Sequence, residues 1–398
     1  MTTHKPTNNK HMIHLEDKLF YGGAKGAVEA FQLLMDLQAT LLGRDVGLKV
    51  MTKWDGSPAV FIGTDPADGR FFISTKSMLN KQPKVYKGEW ELTNAFGGDL
   101  LEKLLECWHR LPERKEIIQG DLLFTQGDKS RQMIDGCLYQ TFHQNTLVYA
   151  APDSSKLGQQ ITDARLGIVW HTSYTGPSLD QLTATYGVDP DPMQYMPYLW
   201  CPDPVIQFDH IFPAEHTRLT GYLDQIYQLL DDLDPVLMDA IAQTPEAPDL
   251  LEWVVNDTIR NTIYRTPWQM VDALQVRYNW EWLEAVGRLK TEKAQQRHTA
   301  RATMMEMVFG EHNRTQLAQL FEVHRKIQAA KAILINTLNR YQSIDTFVKT
   351  SRGYKRTGPE GYVVVGRDGH TCKLVDRMEF SFNNFSAGVQ KGWNHPRE

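Results

Sequence analysis

Long apolar runs are missing from this 398-residue chain. No stretch approaches the roughly 18 consecutive apolar residues that a bilayer-spanning helix needs, so no membrane role is expected. The polar opening Met1 to Lys10 does not read as a signal peptide. Cysteine is scarce: Cys107, Cys137, Cys201 and Cys372 lie far apart and form no C-x-x-C pair. That usage argues against a disulfide framework or a zinc site and suits reduced thiols in a cytosolic setting. The thirteen histidines include no H-E-x-x-H. Neither sign of charge dominates, with 43 Lys and Arg against 48 Asp and Glu, a net of −5. A protein that coats nucleic acid nonspecifically is therefore not expected, although a local basic groove remains compatible. Gly22 to Gly26 is glycine-rich but lacks the Gly-Lys-Ser/Thr of a phosphate loop, and is read as a helix entry. Internal repeats and low-complexity tracts are absent.

What is present is an ordinary globular composition, 41% hydrophobic and 23% charged, long enough for two domains. Gly26 to Leu42 reads as an amphipathic helix with Val28, Phe31, Leu34, Met35, Leu41 and Leu42 on one face. From Gly47 the texture turns to β: Ala59 to Ile62, Arg70 to Ser74, Ile117 to Phe124, Leu147 to Ala150 and Leu166 to Trp170. Asp65 to Gly69 is the expected hairpin loop between the first two runs, and a helix is expected over Leu100 to Arg110. Helical period then dominates Leu219 to Leu233, Pro248 to Thr262, Pro267 to Lys290, Thr299 to Phe309 and Arg314 to Ser343. The last carries a stripe of Leu317, Leu320, Phe321, His324, Ile327, Ala330 and Leu334. The stretch Arg288 to Arg301 is basic and reads first as a solvated helix face. β character returns at Gly361 to Val365 and Thr371 to Val375.

The chemistry-bearing residues fall mainly on the β-rich parts. Lys53-Trp54-Asp55-Gly56 places a lysine and an acid in a turn between two β runs. A lysine amine is protonated at neutral pH unless burial or nearby cations lower its pKa, so it needs company to act as a nucleophile. That company follows in order: Ser74-Thr75-Lys76-Ser77, Gln119-Gly120-Asp121-Leu122, Gly167-Ile168-Val169-Trp170-His171, Glu360-Gly361-Tyr362-Val363 and Lys373-Leu374-Val375. Alone, each is a turn or strand end; together they gather cations and acids on strand-like segments.

This ordered series resembles the motifs of the covalent nucleotidyltransferases, the ATP-dependent DNA and RNA ligases and the capping enzymes. The likeness covers residues 46 to about 176 and 355 to 385. It is closest to phage RNA ligases, and the chain is also similar to a ligase-like family of large tailed phages. That second likeness extends to His14-Leu15-Glu16-Asp17, Lys373 to Arg377 and Phe380 to Phe385. The resemblance implies that Lys53 attacks the α-phosphate of ATP and forms lysyl-AMP, its pKa lowered by Lys76, Lys373 and a metal. Lys373 would grip the α-phosphate and assist catalysis. Asp55, Gly56, Lys76, Asp121, Glu360 and Lys373 would line the ATP site with Trp170 stacked on the base, and Glu360 and Asp121 would bind Mg²⁺ or Mn²⁺. Three positions depart from the family pattern: Pro58 replaces an arginine, Asp121 a glutamate, and Val375 a second lysine.

The implied fold is α+β: a ligase-type nucleotidyltransferase domain of antiparallel β-sheets around an ATP cleft, interrupted by an all-α insertion. Residues 1–45 are expected to form a helical segment packed on that domain. Its first part would occupy 46–180, the helical insertion 181–349, and its second part 350–398, with no C-terminal OB-fold. The insertion would grip the substrate. The expected activity is ATP-dependent ligation of polynucleotides with 5′-phosphate ends, RNA rather than DNA, in the cytoplasm (of the host, for a phage protein). A DNA ligase, a transferase with another acceptor, and a non-catalytic binding or virion-associated protein remain open readings.

Overall fold

The computed structural model describes residues 12–188, 193, 196–208, 213–286, 288–367, 369, 371–381 and 388–392. Fourteen strands are described within them: β1 (Lys49–Lys53), β2 (Ala59–Thr64), β3 (Phe71–Ser74), β4 (Ile117–Thr125), β5 (Lys129–Ile134), β6 (Cys137–His143), β7 (Leu147–Pro152), β8 (Leu166–Thr175), β9 (Thr183–Tyr186), β10 (Leu199–Trp200), β11 (Asp345–Thr350), β12 (Gly353–Arg356), β13 (Gly361–Val365) and β14 (Thr371–Leu374). They form three sheets, in the orders β1-β13-β14, β10-β8-β4-β2-β3 with β9 beside β8, and β12-β11-β7-β6-β5. Every pairing is antiparallel except the short β10–β8 contact. The fold is thus α+β with antiparallel sheets.

Eleven α-helices are described: α1 (Lys18–Tyr21), α2 (Gly23–Leu41), α3 (Glu89–Ala95), α4 (Gly98–Arg110), α5 (Lys156–Asp163), α6 (Pro213–Asp231), α7 (Pro235–Gln243), α8 (Ala247–Arg260), α9 (Pro267–Val286), α10 (Glu292–Phe309) and α11 (Arg314–Leu338). The expected stripe of α11, from Leu317 to Leu334, is buried throughout. The face of α2 differs from expectation. Val28 and Met35 are exposed, whereas Ala27, Ala30, Leu33, Leu34 and Leu37 are buried. Small alanines let α2 approach its neighbours closely, and close packing outweighs side-chain size here.

One large core joins α1, α2 and α6 to α11 with Val50, Tyr362, Val364, Cys372 and Leu374. These last five residues form the back of the three-stranded sheet, since successive strand residues alternate between faces. The N-terminal helices therefore share a core with that sheet and with the helical body as well. The helices buttress the sheet from behind. Boundaries shift as well. Strands continue through β9 and β10 beyond residue 180, and β11 begins at Asp345, before residue 350. These strands are short or at edges, where periodicity carries little signal.

Several elements went unread, the β5–β6 hairpin and α7 among them for local reasons. The β5–β6 hairpin turns through Asp135 and Gly136, both with positive φ, so the Asp-Gly pair was the available signal. Helix α7 starts at Asp234-Pro235, where the Asp234 side chain accepts from the Val236 amide at 2.9 Å.

Candidate functional site

The sheets meet at a cleft of about 500 Å³ whose walls include Lys53, Lys76, Gln119, Asp121, His171, Tyr174, Tyr186 and Val363. That volume lies within the range of small-molecule sites. Its geometry begins with strand parity. On β1 and β13, Lys53 lies opposite Gly361 and Met51 opposite Val363, and Val363 lies opposite Lys373 on β14. Lys53, Met51, Val363 and Lys373 consequently share the front face of the sheet, opposite the helical body. Lys373 sits two strands away from Lys53 on this face and does not itself line the cleft.

The turn after Lys53 is fixed from behind. Asp55 is buried, and its carboxylate accepts from Asn145 Nδ2 (2.8 Å) and from the backbone amides of Thr146 (2.7 Å) and Leu147 (2.9 Å). The Asp55 amide in turn donates to the Tyr149 hydroxyl at 2.7 Å. Trp54 packs against Tyr149 and Trp200, with ring centroids 4.9 and 5.7 Å away. Gly56 is demanded by close approach: a Cβ there would lie 2.8 Å from the Leu122 carbonyl oxygen and 2.9 Å from Asp121 Cβ. Asp55 and Gly56 are therefore the supports of Lys53 and do not line the cleft, a correction to their expected ligand contacts.

The Lys53 ammonium forms an ion pair with Glu360, the residue just before β13. Burial alone would lower the Lys53 pKa, but Glu360, followed by Asp121 and Asp55, outweighs it and raises the pKa. The protein side chains alone therefore do not supply the lowering expected from Lys76, Lys373 and a metal. Glu360 is pushed up to about 7, first by burial and then by Asp55 and Asp121, against the pull of Lys53. Lys373 is shifted down by burial and by the Arg377 and Lys53 charges, opposed by Asp17 and Glu252.

Asp121 faces the cleft from β4, with His171 Nε2 at 3.5 Å from its carboxylate. Lys76 enters the cleft wall at the start of a 3₁₀ turn whose Thr75 side chain accepts from the Ser77 amide. Trp170 faces the other way. It is buried in the core under α4, and its ring lies over Gly120, where a Cβ would approach within 2.7 Å. This contradicts its expected role as the base-stacking ring: the glycine of the Gln-Gly-Asp motif makes room for Trp170 behind the strand.

His171, two residues after Val169, alternates onto the cleft face, and there β8 carries a bulge. Gln119 pairs with Thr172 while Gly120 pairs with Trp170, which leaves His171 as the extra residue. Val169, His171, Thr172 and Tyr174 all reach the cleft as a result. Gln119, two residues before Asp121 on the same strand face, accepts from the Tyr174 hydroxyl at 2.6 Å. Alternation from Asp121 could have found Gln119; no local signal marks the bulge.

Behind the front face lies a buried charge cluster. Glu16 and Asp17 meet Lys331, Arg377 and His324, and Arg377 continues to Glu252 and Asn256. Glu16, Asp17 and His324 place ligand atoms within 4.8 Å of one another. Lys331 and Arg377 already neutralise these carboxylates, so the cluster reads as an ion-pair network joining the N-terminal segment, α11 and the residues after β14. Of the Phe380 to Phe385 motif, residues 382 to 385 lie outside the described residues. Among the described residues, no helix is long and apolar enough to cross a membrane.

Fold and site define an α+β protein with a lysine–carboxylate pair in a cleft between antiparallel sheets. The chain belongs to a family of unknown function (DUF6267), whose model matches residues 9–389. No curated protein and no solved structure matches it.

Proposed function

We propose that this cleft carries out covalent nucleotidyl transfer at Lys53, as the reactive centre of an ATP-dependent ligase for RNA bearing a 5′-phosphate. The observation that carries the reading is the ion pair of Lys53 with Glu360, distant in sequence, where Lys53 lines one cleft together with Asp121 and Lys76. In this reading the neutral Lys53 amine attacks the α-phosphorus of ATP, the bond to the β-phosphate oxygen breaks, and pyrophosphate leaves. A 5′-phosphate oxygen of the acceptor then attacks the same phosphorus. The phosphorus–nitrogen bond breaks, Lys53 regains its proton, and AMP is joined to the acceptor end.

Glu360 and Asp121 would hold Mg²⁺ or Mn²⁺ through oxygen donors, the donor type that such hard cations prefer. The residues fit: Asp55 and Asp121 both disfavour the ionised Glu360, with Lys53 opposing them. A bound divalent cation would supply charge neutralisation at the phosphate oxygens. Lys76 is placed to approach phosphate, and Lys373 adds positive potential from the same sheet face. Asp121 is available to accept from ribose hydroxyls, and His171, Tyr174 and Tyr186 offer rings near a purine.

The test is incubation with α-labelled ATP and Mg²⁺ or Mn²⁺. Acid-labile label on wild type and none on Lys53→Ala is the expected result. Absence of label from wild type across nucleotides and metals would overturn the reading, and label persisting in Lys53→Ala would overturn the nucleophile. A chase of labelled protein with 5′-phosphorylated RNA or nicked DNA then separates the acceptors; sealing of nicked DNA alone would replace the RNA assignment.

A further inference from the structure

The β11–β12 hairpin concentrates positive charge in a chain that is acidic overall. Lys349, Arg352, Lys355 and Arg356 fall within eight residues that contain no acid. The turn passes through Gly353 at φ +111, and β12 is the edge of its five-stranded sheet. Arg352, Lys355 and Arg356 are exposed. Arg356 is held by Asp345 at 2.9 Å and lies 5.4 Å from the Phe347 ring centroid. Lys349, Arg352 and Lys355 make no ion pair among the described residues.

Register interleaves an aromatic ring with these charges. Lys349 pairs with Tyr354 and Phe347 with Arg356, so Lys349, Tyr354 and Arg356 share one face of the ribbon. The Tyr354 ring is half-buried and packs edge-on against Phe347, which holds it in place. Cations that track phosphates, set around a ring that a base can stack on, are the means by which proteins hold single-stranded nucleic acid. The hairpin is also tethered to the reactive centre. Glu360, the ion-pair partner of Lys53, follows Arg356 by four residues, a reach of at most about 14 Å. The helical body is packed behind the three-stranded sheet, whereas the hairpin runs directly into the residue that pairs with Lys53.

We propose that the β11–β12 hairpin binds the acceptor, a single-stranded polynucleotide, and leads its 5′-phosphate end to Lys53. The inference rests on the reading of Lys53 as the nucleotidyl carrier. Lys349 and Arg352 contact phosphates beside Tyr354, which stacks on a base, and Lys355 contacts them from the opposite face of the edge strand.

The experiment uses the full chain with Lys349→Glu, Arg352→Glu and Lys355→Glu combined, and separately Tyr354→Ala. Lys293→Glu with Arg297→Glu on α10, also exposed, is the control for a general charge effect. Binding of a fluorescent, 5′-phosphorylated oligoribonucleotide is followed by anisotropy, independently of any labelling by ATP. The triple variant is expected to lose about tenfold or more in affinity and to flatten the log-affinity against log-salt slope by about two, as loss of three phosphate contacts predicts. Tyr354→Ala is expected to weaken binding while keeping the wild-type slope. Self-labelling with ATP should stay within about twofold of wild type, while AMP transfer to RNA falls with affinity.

Wild-type affinity in the triple variant, no binding by wild type, or a loss confined to the α10 variant would each overturn the hairpin assignment. Preference for nicked duplex over single strand, abolished by the same substitutions, would overturn the single-strand acceptor. Failure of wild type to label with ATP would instead count against the Lys53 reading, with the anisotropy result still deciding the hairpin.

Discussion

The Lys331 ammonium lies 2.7 Å from each carboxylate oxygen of Glu16, joining residues 315 positions apart. Both side chains are buried, and Arg377 approaches the same carboxylate at 3.5 Å. Burial alone would raise the Glu16 pKa, but Lys331, then His14 and Arg377, hold it well below the usual carboxylate range.

Lys331→Met should therefore lower unfolding free energy by about 3–5 kcal/mol, because it strands a buried carboxylate. Urea denaturation near neutral pH measures this. Combining it with Glu16→Leu should recover a large part of the loss, since an apolar pair avoids desolvating two charges.

The same pair sets a pH dependence. The depressed Glu16 pKa contributes stability that is present above the unfolded value near 4.5 and is lost as pH falls through the lower folded value. Glu16→Gln should be less stable than wild type at neutral pH, with the gap narrowing in acid. Thermal melts across pH check the sign.

Glu360 should behave oppositely. Its pKa is raised from 4.5 to about 7, so the folded protein keeps a proton that the unfolded chain releases. This contribution is full below pH 4.5 and is lost as pH rises towards 7. Carboxyl NMR should show one group titrating near pH 7 in wild type and none in Glu360→Gln. Lys53→Ala should move that titration upward, because Lys53 favours the ionised carboxylate.

Asp55→Ala should cost several kcal/mol, since two buried amides, of Thr146 and Leu147, lose their acceptor at about 1–3 kcal/mol each. Denaturant melts and Lys53 labelling should fall together. A stable variant with full labelling would contradict its role as the support of the lysine turn.

Trp170 and His171 should separate cleanly despite being neighbours. Trp170→Ala empties core volume and should destabilise by about 3–5 kcal/mol. His171→Ala should leave the melting temperature nearly unchanged while weakening ATP binding, read by titration calorimetry.

How much of this was legible in the sequence varies with how local the determinant is. The α11 stripe was readable because helical period and burial agree over about five turns. On α2 two overlapping arcs of apolar residues were available, and the partner helices selected the arc rich in alanine. Lys53, Lys76, Asp121, Glu360 and Lys373 could be named from motif order, but their protonation could not. The Lys53–Glu360 pair forms across β1 and β13, and its effect on both groups depends on Asp55 and Asp121 brought close by other strands. Trp170 was assigned from its place in the motif, although its pairing with Gly120, next to Asp121, sets it on the face opposite Asp121.

The extra residue on β8 makes sequence spacing and spatial spacing differ by one across the site. When relatives are compared, positions before and after His171 belong to separate frames. For a relative lacking one residue here, the equivalent of Tyr174 is matched to Tyr174 only if the alignment carries a gap at the bulge. Forced through without that gap, a residue pointing into the α4-facing core would be scored as a ligand contact. Substitutions transferred between relatives by column number alone would then exchange a packing change for a binding change.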